Sequence, residues 1–327
     1  FALWLAPARR LGLGARGRIL GVLDAAGKYS FFDSWFLVLT ISAFSLTWRS
    51  GDAELRVQVR PMAPFYCFVV ATAMSLVLGH VASEYHRYSL RVERRGPEGK
   101  AKAPCCRAFR TRGWGGASAL SRFVPHHTRR AITGVLLGSL TLAVLACGMV
   151  SFEYNMGGLV SQVLSVPRRR YSLISVASAL PQAGSGAGLV FVEVLFLLMA
   201  VALPLLLLCL LIVLWLAPLP ARAQDILLRV VHVMDCWASM DVAALTLTIQ
   251  ALNLGYLTEF LVSSSGMAAP CRLVKNLTRE ECFQVGIDLK AGFFVLLLAG
   301  VALVVVPKVT HNACAAAIEA REAHALA

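Results

Sequence analysis

The chain has 327 residues, of which 58% are hydrophobic and 15% charged, with a formal net charge of +13. Soluble domains contain about 45–50% apolar and about 25% charged residues, so this composition excludes a soluble globular protein and indicates a multi-pass membrane protein. The first residue is Phe1 rather than Met, so we expect the sequence to be a fragment of a longer chain.

Six apolar stretches satisfy the requirement of about 20 helical residues for crossing the hydrocarbon core of a bilayer. They predict an all-α polytopic membrane protein. The predicted spans are 31–49, 62–83, 131–152, 189–217, 241–262 and 291–307. Residues 1–7 look like the end of a seventh span, and Pro204 predicts a helix kink inside the fourth.

The positive charge is concentrated between the second and third spans. Residues 87–130 contain twelve Lys or Arg and two Glu, a net charge of +10. Loops rich in Lys and Arg remain on the cytoplasmic side, so this segment indicates topology and contact with anionic lipid rather than nucleic acid binding. We expect 8–30, 84–130, 218–240 and the tail after Lys308 on the cytoplasmic side, and 50–61, 153–188 and 263–290 on the other. Arg168, Arg169 and Arg170 are the exception on the outer side, where they bind a lipid headgroup or a partner, or are simply solvated.

One predicted outer loop carries two signals of the secretory pathway. Cys271 and Cys282 bracket Asn276-Leu277-Thr278, which is an N-glycosylation sequon. We therefore predict a Cys271–Cys282 disulfide and a glycan on Asn276. If the sequon is used, the protein resides in an endomembrane or the plasma membrane; a bacterial protein of this kind would lie in the inner membrane.

The chain repeats itself. Residues 3–7 (LWLAP) return at 214–218. With the aspartates aligned, an offset of 208 pairs Tyr29 and Asp33 with Trp237 and Asp241, and 39–41 (LTI) with 247–249. Such a repeat gives a two-domain plan in which the first copy lacks its front half.

Two longer motifs carry a family resemblance. The stretches YSLISVASALPQAG (171–184) and LLRVVHVMDCWASMDVAALTLTI (227–249) flank the span with Pro204. In this order the chain resembles the paraquat-inducible protein A family of integral membrane proteins. The resemblance implies tandem four-helix, tetraspan-like units similar to claudins. It divides the chain into the C-terminal half of a first unit (1–90), a basic cytoplasmic linker (91–130), a complete second unit (131–310) and a cytoplasmic tail (311–327).

The resemblance also implies a function. Bacterial members act in lipid transport beside MCE-domain proteins, so we expect a membrane component that handles lipid or hands it over, with membrane lipids and an MCE-type protein as partners. The alternative is a tetraspan-like structural or auxiliary subunit that transports nothing. The motif Pro-x-x-Lys becomes Pro204 and Leu207 here, and only Cys105-Cys106 remain of the family's zinc-ribbon cysteines, so we expect no metal. No enzyme motif is present in the sequence, and we expect neither catalysis nor a cofactor.

Polar residues inside predicted spans are the candidate transport or headgroup site, because such groups are rare in membranes and often functional. The candidates are Asp33, Thr40, Glu193, Asp241, Thr246, Thr248, Gln250 and Asn253. Asp33 and Asp241 either cap their helices or form an interior site coupled to protons or headgroups. Thr246, Gln250 and Asn253 share one helical stripe, which indicates interhelical hydrogen bonds or a polar lining. Glu193 either reaches water near the outer interface or faces the bundle interior.

Overall fold

A computed structural model of the chain describes residues 13–44, 46–50, 53–57, 61–93, 119–157, 168–183, 187–264 and 284–326. The first part is helical from Leu13 to Phe44, as α1 (Leu13–Gly27), a 3-10 turn (Lys28–Phe31) and α2 (Phe32–Phe44). The hairpin of β1 (Leu46–Ser50) and β2 (Ala53–Val57) follows, and then the long helix α3 (Ala63–Glu93).

The second part begins with a 3-10 turn (Leu120–Phe123) and contains four long helical stretches. The elements are α4 (His126–Gly148), β3 (Phe152–Gly157), β4 (Arg169–Tyr171), α5 (Leu173–Ala183), α6 (Ala187–Phe196), a π-helical segment (Leu197–Ala202), α7 (Leu203–Leu216), α8 (Ala221–Trp237), α9 (Met240–Ser264), β5 (Gln284–Leu289) and α10 (Ala291–Leu326).

Five helical segments in the described part of the chain are long and apolar enough to cross a membrane. They are Ala63–Ser83, His126–Gly148, Ala187–Leu216, Ala221–Phe260 and Ala291–Ile318. The first predicted span, 31–49, is not among them, because α2 ends at Phe44 and a strand begins at Leu46. The predicted membrane-spanning, mostly helical architecture is therefore confirmed, whereas the number of six spans is not.

The segment 218–240, predicted as a cytoplasmic connector, is helical from Ala221 to Trp237 as α8. A break at 238–239 separates α8 from α9, and together they make up a 40-residue candidate span. The backbone N–H of Ser239, just after α8, donates to the carbonyl of Met199 at 3.0 Å. Met199 precedes Leu216 by 17 residues, or about 26 Å of helix, so α8 runs back along α7. The side of the membrane on which 218–240 lies stays a prediction.

A three-stranded antiparallel sheet in the order β4-β3-β5 was not predicted from the sequence. It joins the predicted outer segments 153–188 and 263–290 at one end of the bundle. One face packs onto the helices through Phe152, Tyr154 and Tyr171, whose rings lie 5.2–5.7 Å apart. The Tyr154 hydroxyl donates to the Leu39 carbonyl at 2.9 Å, and burial raises the pKa of this phenol well above its ordinary value.

The 208-residue offset relates one pair of helix starts. α2 starts at Phe32 and α9 at Met240, which are 208 residues apart. The described part of each copy contains a helix, a short interruption and a second helix.

Several predictions from the sequence concern residues outside the described ranges. These are the Cys271–Cys282 disulfide, the glycan on Asn276, the Cys105-Cys106 pair, residues 1–7 and most of the basic linker. Within the described ranges, no disulfide joins Cys67, Cys147, Cys209, Cys236 or Cys314 to another of these cysteines.

Candidate functional site

The candidate site is built around two irregular backbone segments that meet. Pro204 lies at the start of α7 and follows the π-helical segment, in which the Leu203 N–H bonds to the Leu198 carbonyl. If the helix continued with the same five-residue spacing, the next hydrogen bond would run from the N–H of residue 204 to the Met199 carbonyl, but proline has no N–H. The backbone N–H of Ser239 donates to the Met199 carbonyl instead, at 3.0 Å. The π segment beside Pro204 thus leaves an open carbonyl that accepts a hydrogen bond from the start of another helix.

Ser239 also starts α9 and connects it to the first part of the chain. Its carbonyl accepts the Ala243 N–H at 3.0 Å, and its hydroxyl accepts the indole N–H of Trp35 at 3.3 Å. Trp35 is 1% exposed and packs edge-on against Phe196 at 5.0 Å. This contact seats α2 against α6 and α9, beside the break between α8 and α9.

Asp241, in the first turn of α9, forms the central ion pair. Its Oδ2 accepts from Lys28 Nζ at 2.8 Å and from the Tyr29 hydroxyl at 3.2 Å. The side chains of Lys28 and Asp241 are only 10% and 7% exposed. Asp241 Oδ1 is buried without a hydrogen-bond partner among the described residues. The pair is therefore desolvated, and one carboxylate oxygen is available to a proton, a water molecule or a polar ligand.

Close helix packing holds this carboxylate inside the bundle. A Cβ on Gly300 of α10 would lie 3.1 Å from the Asp241 Cα, so glycine permits α9 and α10 to approach closely. Gly300 is nine residues beyond Ala291, or about 14 Å along α10. The hydrocarbon core is about 30 Å thick, so the ion pair lies within its depth when α10 enters near Ala291. Lys28, near the end of the segment 8–30, thus packs in the same bundle as α9 and α10, and the cytoplasmic position of that segment stays a prediction.

The two aspartates related by the repeat are not equivalent in the structure. Asp33 is exposed on α2, whereas Asp241 is buried and paired. The residues of the second copy that correspond to Lys28 and Tyr29 are Cys236 and Trp237. The first copy therefore supplies the cation for the acid of the second copy.

The predicted polar stripe is divided between the interior and the surface. Thr246 and Gln250 are both 0% exposed, whereas Asn253 is exposed. Gln250 Nε2 donates to the Thr40 hydroxyl at 3.4 Å, which is a contact between the two copies. Thr246, Thr248 and Asn253 instead bond to carbonyls one turn earlier in α9. In the described residues, the buried part of the stripe thus contacts other elements through Gln250, and its outer end at Asn253 lies on the surface.

Glu193 is separate from the ion pair. It is half-buried in α6, six residues before Met199 and hence about 9 Å nearer the start of that helix. A small apolar cavity in the bundle is lined by Trp35, Phe152 and Phe196. It has room for about one water-sized sphere, so the bundle interior is closely packed there.

Sequence reasoning missed Lys28 and Ser239. Lys28 was one of many cations in a basic segment, although its place directly before the repeated aromatic residue is a usable signal. Ser239 has a recognisable N-cap residue type before α9, but its link to Met199 depends on tertiary packing. In the part of the chain that the structure describes, no three His, Cys, Asp or Glu side chains are arranged to hold a metal ion.

The apolar helices and the buried ion pair between them define the class of protein: an integral multi-pass membrane protein. No protein-family model, curated protein or solved structure matches the chain.

Proposed function

We propose that the chain is a multi-pass membrane component of lipid transport or membrane homeostasis, in which the Lys28–Tyr29–Asp241 site couples to a proton or a polar headgroup. The proposal combines the resemblance to the paraquat-inducible protein A family with the charges inside the bundle. An MCE-type protein is the partner that the resemblance suggests.

The observation that carries the proposal is the half-satisfied carboxylate of Asp241. Two donors hold Oδ2, while Oδ1 is buried with no partner among the described residues. Ionisable groups within membrane helices are costly to insert and commonly mark ion or substrate pathways. A group that only joined two helices would be more stable with both oxygens bonded.

The experiment is lipid transfer between donor and acceptor vesicles, with the protein reconstituted together with its native partner complex. Asp241→Asn keeps the size of the side chain and removes its charge, so we expect transfer to fall. Asp33→Asn is the matched control, because Asp33 occupies the repeat-related position but is exposed. Equal transfer by Asp241→Asn and the parent protein, at equal protein levels, would refute the role of this site.

A second candidate is a tetraspan-like structural or auxiliary subunit. The close packing around Trp35 favours it, because the cavity beside this residue has room for about one water molecule rather than a lipid chain. This function predicts that Asp241→Asn lowers the amount of assembled complex and leaves transfer per complex unchanged. Quantifying complex and transfer in the same membranes separates the two functions.

A further inference from the structure

A buried carboxylate holds two cations side by side at the sheet end of the bundle. Glu153 is 1% exposed, and its Oε2 lies 3.2 Å from both Arg170 Nε and Lys290 Nζ. Because both cations contact the same oxygen, their charged groups are close neighbours. One negative charge fixes the position of two positive charges.

The free parts of these cations face outward. The Arg170 side chain is 71% exposed and uses Nε for Glu153, which leaves the outer edge of the guanidinium open to the surface. Lys290 is 39% exposed and has three N–H donors, one of which suffices for Glu153. Arg168, one residue before β4, adds a third exposed cation.

The local charges leave a positive excess. Strand pairing places Asp288 opposite Glu153 on β5, so it joins the same face of the sheet as Arg170. Among the described residues of this face, the cations Arg170 and Lys290 balance the acids Glu153 and Asp288, and the exposed Arg168 adds one positive charge. The charge rule for membrane proteins predicts few arginines on this side.

The position of these three cations relative to the apolar helix indicates which ligand they bind. Lys290 directly precedes the apolar segment Ala291–Ile318, so the cations lie where a membrane span begins. Phosphate groups of lipids lie at this boundary of the membrane. An arginine and a lysine side by side can donate charge-assisted hydrogen bonds to the phosphate oxygens.

We propose that Arg170 and Lys290, held by Glu153 and assisted by Arg168, form a binding site for the phosphate group of an anionic phospholipid at the sheet end of the bundle. Glu153 is the positioning residue, because it orients both cations without touching the lipid. The site lies apart from Asp241, and the inference stands whether or not the protein transports lipid.

The test measures lipid binding by the intact purified protein. Native mass spectrometry counts retained phosphatidylglycerol, with a phosphate-free galactosyl diacylglycerol as the reference lipid and inorganic phosphate as a soluble competitor. We expect preferential retention of phosphatidylglycerol, and about tenfold weaker binding after Arg170→Gln, equivalent to losing one charge-assisted hydrogen bond. Arg168→Gln, at an exposed position outside the strand, should weaken binding in the same direction without disturbing the sheet.

Arg229→Gln is the matched control, since Arg229 is 59% exposed and paired with Asp225 in α8, on a different surface. Its phosphatidylglycerol binding should equal that of the parent. Parental binding by both Arg170→Gln and Arg168→Gln would overturn the proposal, as would an equal loss in Arg229→Gln. Displacement by inorganic phosphate without any preference for phosphatidylglycerol would overturn the assignment to lipid. Normal transfer by Asp241→Asn would not affect this result, because the readout here is binding alone.

Discussion

Ser239 donates its backbone N–H to the Met199 carbonyl at 3.0 Å, and this bond joins a helix break to a π segment. Each irregularity compensates for the other. The break deprives the Ser239 N–H of an acceptor within its own helix, and Pro204 deprives the Met199 carbonyl of a donor. Unpaired backbone groups are especially unfavourable within a membrane, so the two segments stabilise one another.

The hydrogen bond between Trp35 and Ser239 should be measurable as a coupling. Trp35→Phe keeps a packed aromatic ring, and Ser239→Ala removes the accepting hydroxyl. We expect a double-mutant coupling of about 0.5–1.5 kcal/mol in the free energy of unfolding, measured in detergent. Ser89→Ala, at an exposed position of α3, should show no coupling to Trp35→Phe.

Removal of Lys28 should destabilise the protein strongly. Lys28→Met leaves Asp241 as a buried, unpaired charge, which typically lowers the free energy of unfolding by about 3–5 kcal/mol. Adding Asp241→Asn should recover part of this loss, because the stranded charge is removed. For comparison, Arg229→Gln breaks an exposed pair and should change the same quantity by less than about 1 kcal/mol. A loss of similar size in both variants would contradict the burial of the Lys28 pair.

The close approach of α9 and α10 should not tolerate a methyl group. Gly300→Ala places a Cβ 3.1 Å from the Asp241 backbone, and such overpacking lowers the free energy of unfolding by about 1–3 kcal/mol. Gly138→Ala is the control, because no heavy atom lies within 4 Å of its added Cβ. This variant should be neutral or slightly stabilising, since alanine favours helix. Thermal unfolding of the two variants in the same detergent compares them directly.

The sheet should lose stability in acid. Hydrogen bonding to Lys290, together with Arg170, lowers the pKa of Glu153 below its ordinary value, despite the opposing effect of burial. A lowered pKa in the folded state contributes stability above the unfolded value of about 4.3, and this contribution disappears as the pH falls through the folded pKa. Glu153→Gln should abolish that part of the pH dependence. Unfolding measured between about pH 3 and 6 tests this, and identical profiles for the two proteins would contradict it.

Apolar run length predicted the starts of α2 and α9 to within one residue, since the predicted spans 31–49 and 241–262 begin beside Phe32 and Met240. It missed α8, because charged residues interrupt the hydropathy of 221–237. It also carried the first span past Phe44, where α2 ends and a strand follows. Run length measures apolar content and does not register where a strand replaces a helix.

The candidate site was predicted only in part. The repeat identified Asp241, but it predicted the same environment for Asp33, which the structure places at the surface. The cation beside Asp241 comes from a residue more than 200 positions earlier, and no local spacing encodes that contact. The sheet was missed because its strands are short and because β5 comes from a distant segment, so that its register with β3 depends on tertiary contacts.

The supply of Lys28 by one copy and Asp241 by the other has a consequence for biogenesis. Lys28 precedes Asp241 along the chain, so the ribosome makes the cation before the acid. The order of synthesis therefore allows Asp241 to be buried beside a counterion that is already present, and avoids the cost of burying a lone charge.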